Sequence, residues 1–190
     1  MIYSRLSVVL IALLPALSGI IINALKKGKD SEILQARDGN TLRLFRMAYP
    51  LVLLLSILIF LSGIGAQPFP DFIVIVGVLL FAIGFVVRWI AIISLGKAFT
   101  VRVVILKQQQ LKTDGIYSLV RHPSYTGLLM YYTGLGCLMQ NWVCLLLLLL
   151  IPLLVVLYRI RLEEQVLTDH FGVAYIDYTR RTWRLIPFVY

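Results

Sequence analysis

Two short groups of polar residues stand beside apolar stretches, and the types of residue in each could do chemistry. The first group is "RHPSY", residues 121–125, which opens an apolar stretch. Proline suits the first turn of a helix, so a helix is predicted to begin at Pro123 or Ser124. The free backbone N–H groups and the positive dipole end of this helix would then point into the group. Such a helix end can hold a carboxylate.

The second group lies at the end of the last apolar stretch, in "RIRLEE". The helix is predicted to continue from there into the cytoplasm and to stop at Gly172. Arg159 and Glu163 are four residues apart and therefore share one face of a helix. A pair of this kind is often only a surface ion pair worth a few tenths of a kcal/mol. A second carboxylate, Glu164, follows where the helix leaves the bilayer, and charged groups at that depth need partners. The spacing leaves both interpretations open, a surface pair and part of a polar site.

The elements that must position these groups are membrane helices. Of the 190 residues, 60% are hydrophobic and 14% are charged, whereas about a quarter of a soluble domain is charged. Four segments reach the roughly 20 residues that a spanning helix needs, and a fifth is slightly short. The predicted spans are 6–25, 47–64, 72–95, 142–158 and the short one, 124–139. We therefore predict an all-α integral membrane protein with five transmembrane helices, the last two forming a helical hairpin across "QNW".

Positive charge alternates between the connections of these helices. Lysine and arginine collect in the connections after the first and third predicted helices and in the C-terminal segment, but not in "GAQPFPD" or "QNW". Because cytoplasmic loops carry an excess of both residues, the N-terminus is predicted outside and the C-terminus in the cytoplasm. The net charge of +9 fits this topology and attraction to membrane lipid headgroups. The basic residues are spread over several loops, so no nucleic-acid partner is expected.

Three features have more than one interpretation in the sequence. Arg88 lies about two turns before the end of the third predicted helix, where it could serve a site or extend to the interface. Gly127 and Gly134 share one face of the fourth helix and would allow a neighbouring helix or a ligand to approach closely. Residues 26–43 form a polar linker with room for a short surface helix.

Several classes of site are not expected. The chain has two histidines, and its two cysteines lie in apolar stretches without CxxC spacing, so neither a zinc nor a haem site is predicted and no metal is expected. No glycine-rich nucleotide motif follows a strand, and no GxSxG elbow occurs. The hydrolase and ATPase classes are therefore not supported.

Taken together, the two polar groups resemble a known family. "GIYSLVRHPSYTG" (115–127), followed after two apolar segments by "RIRLEEQVLTDHFGVAYIDY" (159–178), is similar to the isoprenylcysteine carboxyl methyltransferase family, and most similar to its compact prokaryotic members. The resemblance implies an S-adenosylmethionine-dependent enzyme of the membrane. Its cytoplasmic cofactor pocket would be formed by the loop between helices 3 and 4 and the C-terminal segment. The chain would then divide into three N-terminal helices, 1–95, and a catalytic half, 96–190.

The resemblance also implies roles for individual residues. Arg159 would bind the carboxylate of the substrate and Glu163 would contact the cofactor, so these two are the expected catalytic residues. The other expected cofactor contacts are Gln109, Gln110, Leu111, Lys112, Tyr117, His122, Pro123, Ser124 and Tyr125. Eukaryotic members tend to carry a histidine where this chain has Gln109. The implied substrate is a lipid-modified cysteine whose α-carboxylate is esterified and whose prenyl chain enters from the bilayer.

Three other functions are consistent with the residues. A phospholipid amine N-methyltransferase would share the cofactor half and would need a base, for which His122 or a tyrosine is available. A sterol-type reductase would use NADPH, and such enzymes have an ending similar to "WRLIPFVY" (183–190). A channel or scaffold would use the polar groups only as anchors. A prokaryotic member, which is favoured, would lie in the cell membrane, and a eukaryotic one in the endoplasmic reticulum.

Overall fold

The computed structural model describes residues 4–25, 33–36, 41–100, 102–106 and 109–190. Within these residues the chain forms six α-helices and two short β-strands. The helices are α1 (Arg5–Leu25), α2 (Thr41–Ser62), α3 (Asp71–Leu95), α4 (Pro123–Leu138), α5 (Trp142–Phe171) and α6 (Val173–Arg181). The strands are β1 (Ile33–Ala36) and β2 (Val104–Leu106), and a 3-10 turn covers Gly115–Ser118.

Four of the helices are long and apolar enough to cross a membrane. They cover Arg5–Ile22, Thr41–Ser62, Asp71–Leu95 and Trp142–Phe171, which confirms four of the predicted spans and a multi-pass membrane protein. Large apolar side chains such as Leu6, Phe72 and Leu154 lie exposed on their outer faces. The predicted fifth span forms α4, whose 16 residues correspond to about 24 Å of helix, shorter than the roughly 30 Å of a bilayer core. That α4 crosses the membrane, and forms a transmembrane hairpin with α5, stays a prediction.

The helix boundaries follow local signals in the sequence. Helix α4 begins at Pro123, as predicted, and His122 before it has the non-helical angles φ −123° and ψ 55°. Helix α5 continues past the predicted span to Phe171 and ends at Gly172, which adopts a φ of 55°. A positive φ is the conformation for which glycine is favoured after a helix. Helix α5 therefore carries Arg159 and Glu163 on the same helix as the candidate membrane span.

Helices α3 and α4 meet backbone to backbone at paired glycines. A Cβ atom on Gly127 would lie 2.5 Å from the carbonyl oxygen of Gly84, and one on Gly134 would lie 2.5 Å from that of Gly77. Small residues let membrane helices approach this closely. The neighbour that approaches Gly127 and Gly134 is therefore helix α3, and this contact fixes the start of α4 against the end of α3.

The two connections on the polar side pair with each other as a small sheet. Strand β1 runs antiparallel to β2, with Gln35 opposite Ile105. The expected surface helix in the linker is therefore wrong for Ile33–Ala36; residues 26–32 and 37–40 of that linker lie outside the described residues. Valine and isoleucine favour strands, and Val103, Val104 and Ile105 of the partner segment are buried. The sheet brings the linker after α1 against the connection before α4.

The other end of the bundle gathers the uncharged connections. The Arg5 guanidinium donates to the Leu61 carbonyl at 3.2 Å. Asn141 caps α5 and also donates from Nδ2 to the Ile64 carbonyl at 2.7 Å. The beginning of α1, the α2–α3 connection and the α4–α5 turn thus lie together, in agreement with their grouping by charge. Which end faces the cytoplasm stays a prediction.

Candidate ligand-binding cavity

A cavity of about 460 Å³ lies where α1 to α6 and β2 converge at the polar end of the bundle. Its volume falls within the roughly 300–1,000 Å³ of small-molecule sites. Ten of the eleven predicted site residues line it: Gln109, Gln110, Leu111, Lys112, Tyr117, His122, Ser124, Tyr125, Arg159 and Glu163. Residues that are far apart in the sequence therefore share one space, and α1 and α2 contribute walls to it that the sequence did not indicate.

Pro123 is the predicted site residue that does not line the cavity. It is fully buried at the first position of α4, where its ring sets the backbone for the first helical turn. The preceding carbonyl, that of His122, accepts the backbone N–H groups of Tyr125 at 3.0 Å and Thr126 at 3.1 Å. Pro123 thus positions its neighbours, and a direct contact between its side chain and a ligand stays a prediction.

The segment with Gln109 to Lys112 forms one polar wall of the cavity. The Lys112 ammonium lies 2.9 Å from a carboxylate oxygen of Asp114. Its hydrogen bond holds the pKa of the exposed Asp114 carboxyl below its usual value. Lys112 therefore enters the cavity as a partly neutralised cation.

Arg159 and Glu163 are connected through a third side chain. Arg159 Nε donates to the hydroxyl oxygen of Tyr125 at 2.7 Å, and that hydroxyl donates to Glu163 Oε2 at 2.8 Å. Arg159 is only 4% exposed, and its Nη1 donates to Thr41 Oγ1 at 3.3 Å. We name Tyr125, Arg159 and Glu163 the cavity cluster. The predicted pairing of Arg159 with Glu163 is mediated by the Tyr125 hydroxyl, which fixes both charged groups on one wall.

Arg88 turns into the bundle instead of extending to the interface. It is 7% exposed, and its Nη1 donates to the Ser124 carbonyl at 3.1 Å and to Ser124 Oγ at 3.2 Å. Arg88 also lines the cavity. Of the two interpretations of this residue, extension to the interface is therefore wrong, and Arg88 places a second buried guanidinium beside the start of α4.

Several buried polar atoms of the cavity wall have no hydrogen-bond partner among the described residues. They are Tyr49 Oη, Arg88 Nε, His122 Nε2 and Tyr175 Oη. His122 Nε2 lies 3.5 Å from Glu164 Oε1, without the geometry of a hydrogen bond. Buried polar groups are nearly always bonded, and leaving one unsatisfied costs about 1–3 kcal/mol. These atoms are therefore positioned to bond a ligand with polar groups. Tyr49 and Tyr175 were not predicted from the sequence. Of the two, only Tyr175 lies within a motif, that of residues 159–178.

Buried tyrosines hold the polar end of the cavity together. Tyr117 Oη donates to the Ala91 carbonyl at 3.2 Å, and Tyr178 Oη donates to the Tyr117 carbonyl at 2.6 Å. Burial raises the pKa of Tyr178 to about 12, and burial followed by the nearby Glu163 carboxylate raises the pKa of Tyr117 further. Burial and then Glu164 also raise the pKa of Tyr175. These phenols therefore stay neutral hydrogen-bond donors at physiological pH.

A second polar cluster lies next to the cavity cluster, and its charged groups are paired with one another. Arg121 Nε lies 3.0 Å from Glu164 Oε1, and Arg184 Nη2 lies 2.9 Å from Glu164 Oε2. Arg121 also donates to the carbonyl oxygens of Thr179 and Thr182. We name Arg121, Glu164 and Arg184 the lock cluster. Sequence reasoning gave none of the three a positioning role.

The lock cluster ties the C-terminal segment to the start of α4. The backbone N–H of Arg121 donates to the Trp183 carbonyl at 2.7 Å, and that of His122 donates to the Arg184 carbonyl at 3.1 Å. Thr126 Oγ1 donates to the Leu185 carbonyl at 2.7 Å. Burial alone would lower the pKa of Arg184, but the hydrogen bonds and charge interactions with Glu164 and Tyr190 together outweigh that effect and raise the pKa. The C-terminal segment thereby holds His122 and Tyr125 in place.

The sequence of this chain is similar to those of known proteins. The model of the isoprenylcysteine carboxyl methyltransferase (ICMT) family matches residues 75–169. The chain is 32% identical over 150 residues to protein-S-isoprenylcysteine O-methyltransferase A of Arabidopsis thaliana, and the alignment covers 74% of each protein. It is 31% identical over 115 residues to protein-S-isoprenylcysteine O-methyltransferase B of the same plant, covering 60% of this chain and 58% of that one.

A solved structure shares the fold. It is that of the eukaryotic intramembrane Ras methyltransferase ICMT, with a TM-score of 0.64 and 26% sequence identity. The match covers 74% of this chain and 52% of the solved chain, so the present chain corresponds to about half of that protein's length. The matched family segment includes the start of α4, the cavity cluster and Glu164. This chain belongs to the isoprenylcysteine carboxyl methyltransferase family.

Proposed function

We propose that this chain is an S-adenosylmethionine-dependent methyltransferase that esterifies the α-carboxylate of an isoprenyl cysteine at the membrane interface. The names of the relatives supply the reaction and the substrate class. The observation that carries the proposal is the cavity, in which buried polar atoms without a hydrogen-bond partner among the described residues face the same space as two buried arginines. Such a wall suits ligands that bring hydroxyl, amino and carboxylate groups.

The residues at the polar end fit a cofactor of this kind. S-adenosylmethionine supplies, when bound, a methyl group on a positively charged sulfur. The Glu163 carboxylate can accept hydrogen bonds, and the neutral Tyr175 hydroxyl can donate one. The Tyr117 hydroxyl already donates to Ala91, but its ring can pack against a flat ring. The proposed cofactor contacts are Tyr175 and the ten residues expected from the sequence. These ten are Gln109, Gln110, Leu111, Lys112, Tyr117, His122, Pro123, Ser124, Tyr125 and Glu163.

The two buried arginines fit the two carboxylates that the reaction brings together. One carboxylate belongs to the amino-acid part of the cofactor, and the other is the group to be methylated. Arg159 can hold a carboxylate through two parallel N–H bonds, and the link to Glu163 through Tyr125 moderates its charge. We assign Arg159 to the acceptor carboxylate. Arg88 supplies the second cation, and its Nε has no hydrogen-bond partner in the part of the chain that the structure describes.

The acceptor needs no general base. A carboxylate is already ionised at neutral pH, so the residues of this chain need only orient it and exclude water. The buried positions of Arg88 and Arg159 meet both needs, because each guanidinium is fixed by hydrogen bonds within the bundle. A phospholipid amine, in contrast, would have to lose a proton before it could accept a methyl group.

The apolar walls suit a prenyl chain that comes from the bilayer. Residues of α1 and α2 also line the cavity, among them Pro15, Ile20, Phe45 and Leu53. Ile20 lines the cavity and is also 65% exposed on the outer face of α1. A side chain with both properties marks an opening toward the lipid. We propose the prenyl group enters beside α1 while its carboxylate reaches Arg159.

A methyl-transfer assay tests the proposed function. Full-length protein in lipid nanodiscs is incubated with methyl-labelled S-adenosylmethionine and a farnesylated N-acetylcysteine. We expect label in a base-labile ester, and no label when the carboxylate is replaced by an amide. Label in phosphatidylethanolamine, or consumption of NADPH with a sterol and no methyl transfer, would contradict the proposal in favour of one of the other two enzyme classes.

The proposed orientation follows the charge of the connections. We infer that the polar end of the bundle and the C-terminal segment face the cytoplasm and that the N-terminus lies outside, in the cell membrane of a prokaryote. Labelling of single cysteines introduced at Ser4 and at Arg181 with an impermeant thiol reagent on intact cells tests this orientation. Labelling at position 181 alone would contradict it.

A further inference from the structure

A basic cleft lies on the outside of the C-terminal segment, separate from the ligand cavity except for Arg121. It has a volume of about 360 Å³ and is lined by Arg121, Thr179, Arg180, Arg181, Thr182, Trp183, Arg184 and Tyr190. Four of its eight lining residues are arginines. Neither the cavity cluster nor the proposed reaction uses Arg180 or Arg181.

The charges around this cleft are only partly compensated. Glu164 bonds both Arg121 and Arg184, and Asp177 lies 3.2 Å from Arg180 in an exposed pair. Among the described residues, two carboxylates therefore face four guanidinium groups, which leaves a net charge of +2. Arg180 and Arg181 are exposed, so their donors can turn to an anion in the cleft. Guanidinium groups favour phosphate because their donors match its oxygens.

An exposed apolar group adjoins the same cleft. Trp183, Ile186, Phe188 and Val189 are all exposed, and Phe188 reaches 83%. The Trp183 and Phe188 rings pack 5.8 Å apart. A patch of large apolar side chains on a membrane protein, next to arginines and a tryptophan, is typical of an element that lies in the lipid headgroup region.

We propose that this cleft binds the headgroup phosphate of an anionic phospholipid, with Trp183 and Phe188 lying against its acyl chains. Charge and shape both favour a lipid over a soluble anion, because the arginines match the phosphate and the apolar patch matches the chains beside it. Arg121 and Arg184 also belong to the lock cluster. A bound headgroup would therefore hold the C-terminal segment against the start of α4. The proposal of this lipid site does not depend on the proposed methyl transfer.

Native mass spectrometry of the full-length protein in detergent tests the proposal. The probe is phosphatidylglycerol, and the variant is the double substitution Arg180→Gln with Arg181→Gln. Because two arginines that attract anionic lipid are lost, we expect roughly tenfold or greater weakening of phosphatidylglycerol binding and no change with phosphatidylcholine. The matched control is Arg161→Gln, an exposed arginine of α5 outside the cleft, which should leave binding unchanged.

Two results would overturn the proposal. The same weakening per charge removed in Arg161→Gln as in the double variant would show that only the overall positive charge attracts the lipid. Displacement of phosphatidylglycerol by an equal concentration of soluble glycerophosphate would show that the cleft binds free phosphate and not a lipid. A Phe188→Ala variant gives an independent arm, because it should weaken phosphatidylglycerol binding without changing any charge. Cofactor affinity measured in the same samples should stay constant, which separates failure of this proposal from failure of the proposed function.

Discussion

Two neighbouring carboxylates on α5 belong to two different clusters, and the difference between them shows how one helix serves both the cavity and the fold. Glu163 faces the cavity and accepts a hydrogen bond from the Tyr125 hydroxyl, which itself accepts one from Arg159 Nε. Glu164 faces the C-terminal segment and is bonded to two arginines. Adjacent residues of a helix point about 100° apart. We therefore assign Glu163 to ligand binding and Glu164 to positioning.

The two clusters also differ in how complete they are. The polar atoms of Arg121, Glu164 and Arg184 are bonded to each other and to backbone carbonyls. In the cavity wall, by contrast, Arg88 and Tyr175 have buried polar atoms that no described residue bonds. A closed set of bonds stabilises the fold by itself, whereas an incomplete set is completed by a ligand.

The largest effect is expected on turnover, from the cavity cluster. Arg159→Lys keeps the charge but loses the planar fork that bonds a carboxylate in two places and reaches Tyr125. We expect methyl transfer to fall by about 10²–10³-fold, with insertion unchanged. Arg161→Lys, an exposed arginine on the same helix, is the control and should keep wild-type turnover. Normal turnover of the Arg159→Lys protein would contradict the proposed role of Arg159 in binding the acceptor carboxylate.

The next largest effect should be on stability, from the lock cluster. Glu164→Gln removes the charge that both Arg121 and Arg184 pair with, and we expect a loss of about 3 kcal/mol in the free energy of unfolding. Titration with a denaturing detergent measures this loss. Asp177→Asn breaks only the exposed pair with Arg180, so it should cost less than about 1 kcal/mol. Equal losses in the two variants would contradict the assignment of Glu164.

A change at the α3–α4 contact should affect both clusters together. In Gly127→Ala the new methyl group would lie 2.5 Å from the Gly84 carbonyl oxygen and 2.6 Å from the backbone nitrogen of Arg88. The helices must separate, which we expect to cost about 1–3 kcal/mol and to weaken cofactor binding. Gly19→Ala is the control, since its Cβ meets nothing within 4 Å. Unfolding midpoints and cofactor affinity of both variants check the prediction, and equal behaviour would contradict the backbone contact.

The smallest effect is expected from removing one hydroxyl. Tyr125→Phe abolishes the link between Arg159 and Glu163 without adding volume, and bonds to charged groups contribute about 1.5–3 kcal/mol each. We expect turnover to fall roughly tenfold and the acceptor KM to rise. Tyr158→Phe, at an exposed tyrosine of α5, should change neither. If Tyr125→Phe also leaves both values unchanged, then the two charged groups act separately.

Local signals in the sequence predicted most of the helices. Pro123 and Gly172 predicted where α4 begins and where α5 ends, because both residues act through their own backbone. Strands β1 and β2 could not be predicted, since each is only a few residues long and depends on a partner distant in the sequence. The proposed division at residue 95 into two functional parts likewise did not anticipate the role of α1 and α2. These helices carry no motif, yet they line the cavity.

The site was predictable where motifs carried it and not where packing decides it. Tyr125, Arg159 and Glu163 were expected together, and the structure brings them within hydrogen-bond distance. The direction of Arg88 could not be read from its depth in α3, because it depends on how α4 packs at Gly84 and Gly127. The division of work between Glu163 and Glu164 depends likewise on the path of the C-terminal segment, which local sequence does not determine.

Calorimetric titration of S-adenosylhomocysteine into the detergent-purified protein tests the central claim most directly. Wild-type protein should bind the ligand at one site, and Glu163→Gln should weaken binding by about tenfold or more, because a charged hydrogen-bond acceptor is lost from the cavity. The double substitution of Arg180 and Arg181 should leave the affinity unchanged. Absence of binding to folded wild-type protein, or an affinity unaltered by Glu163→Gln, would contradict the account of this cavity as the cofactor site.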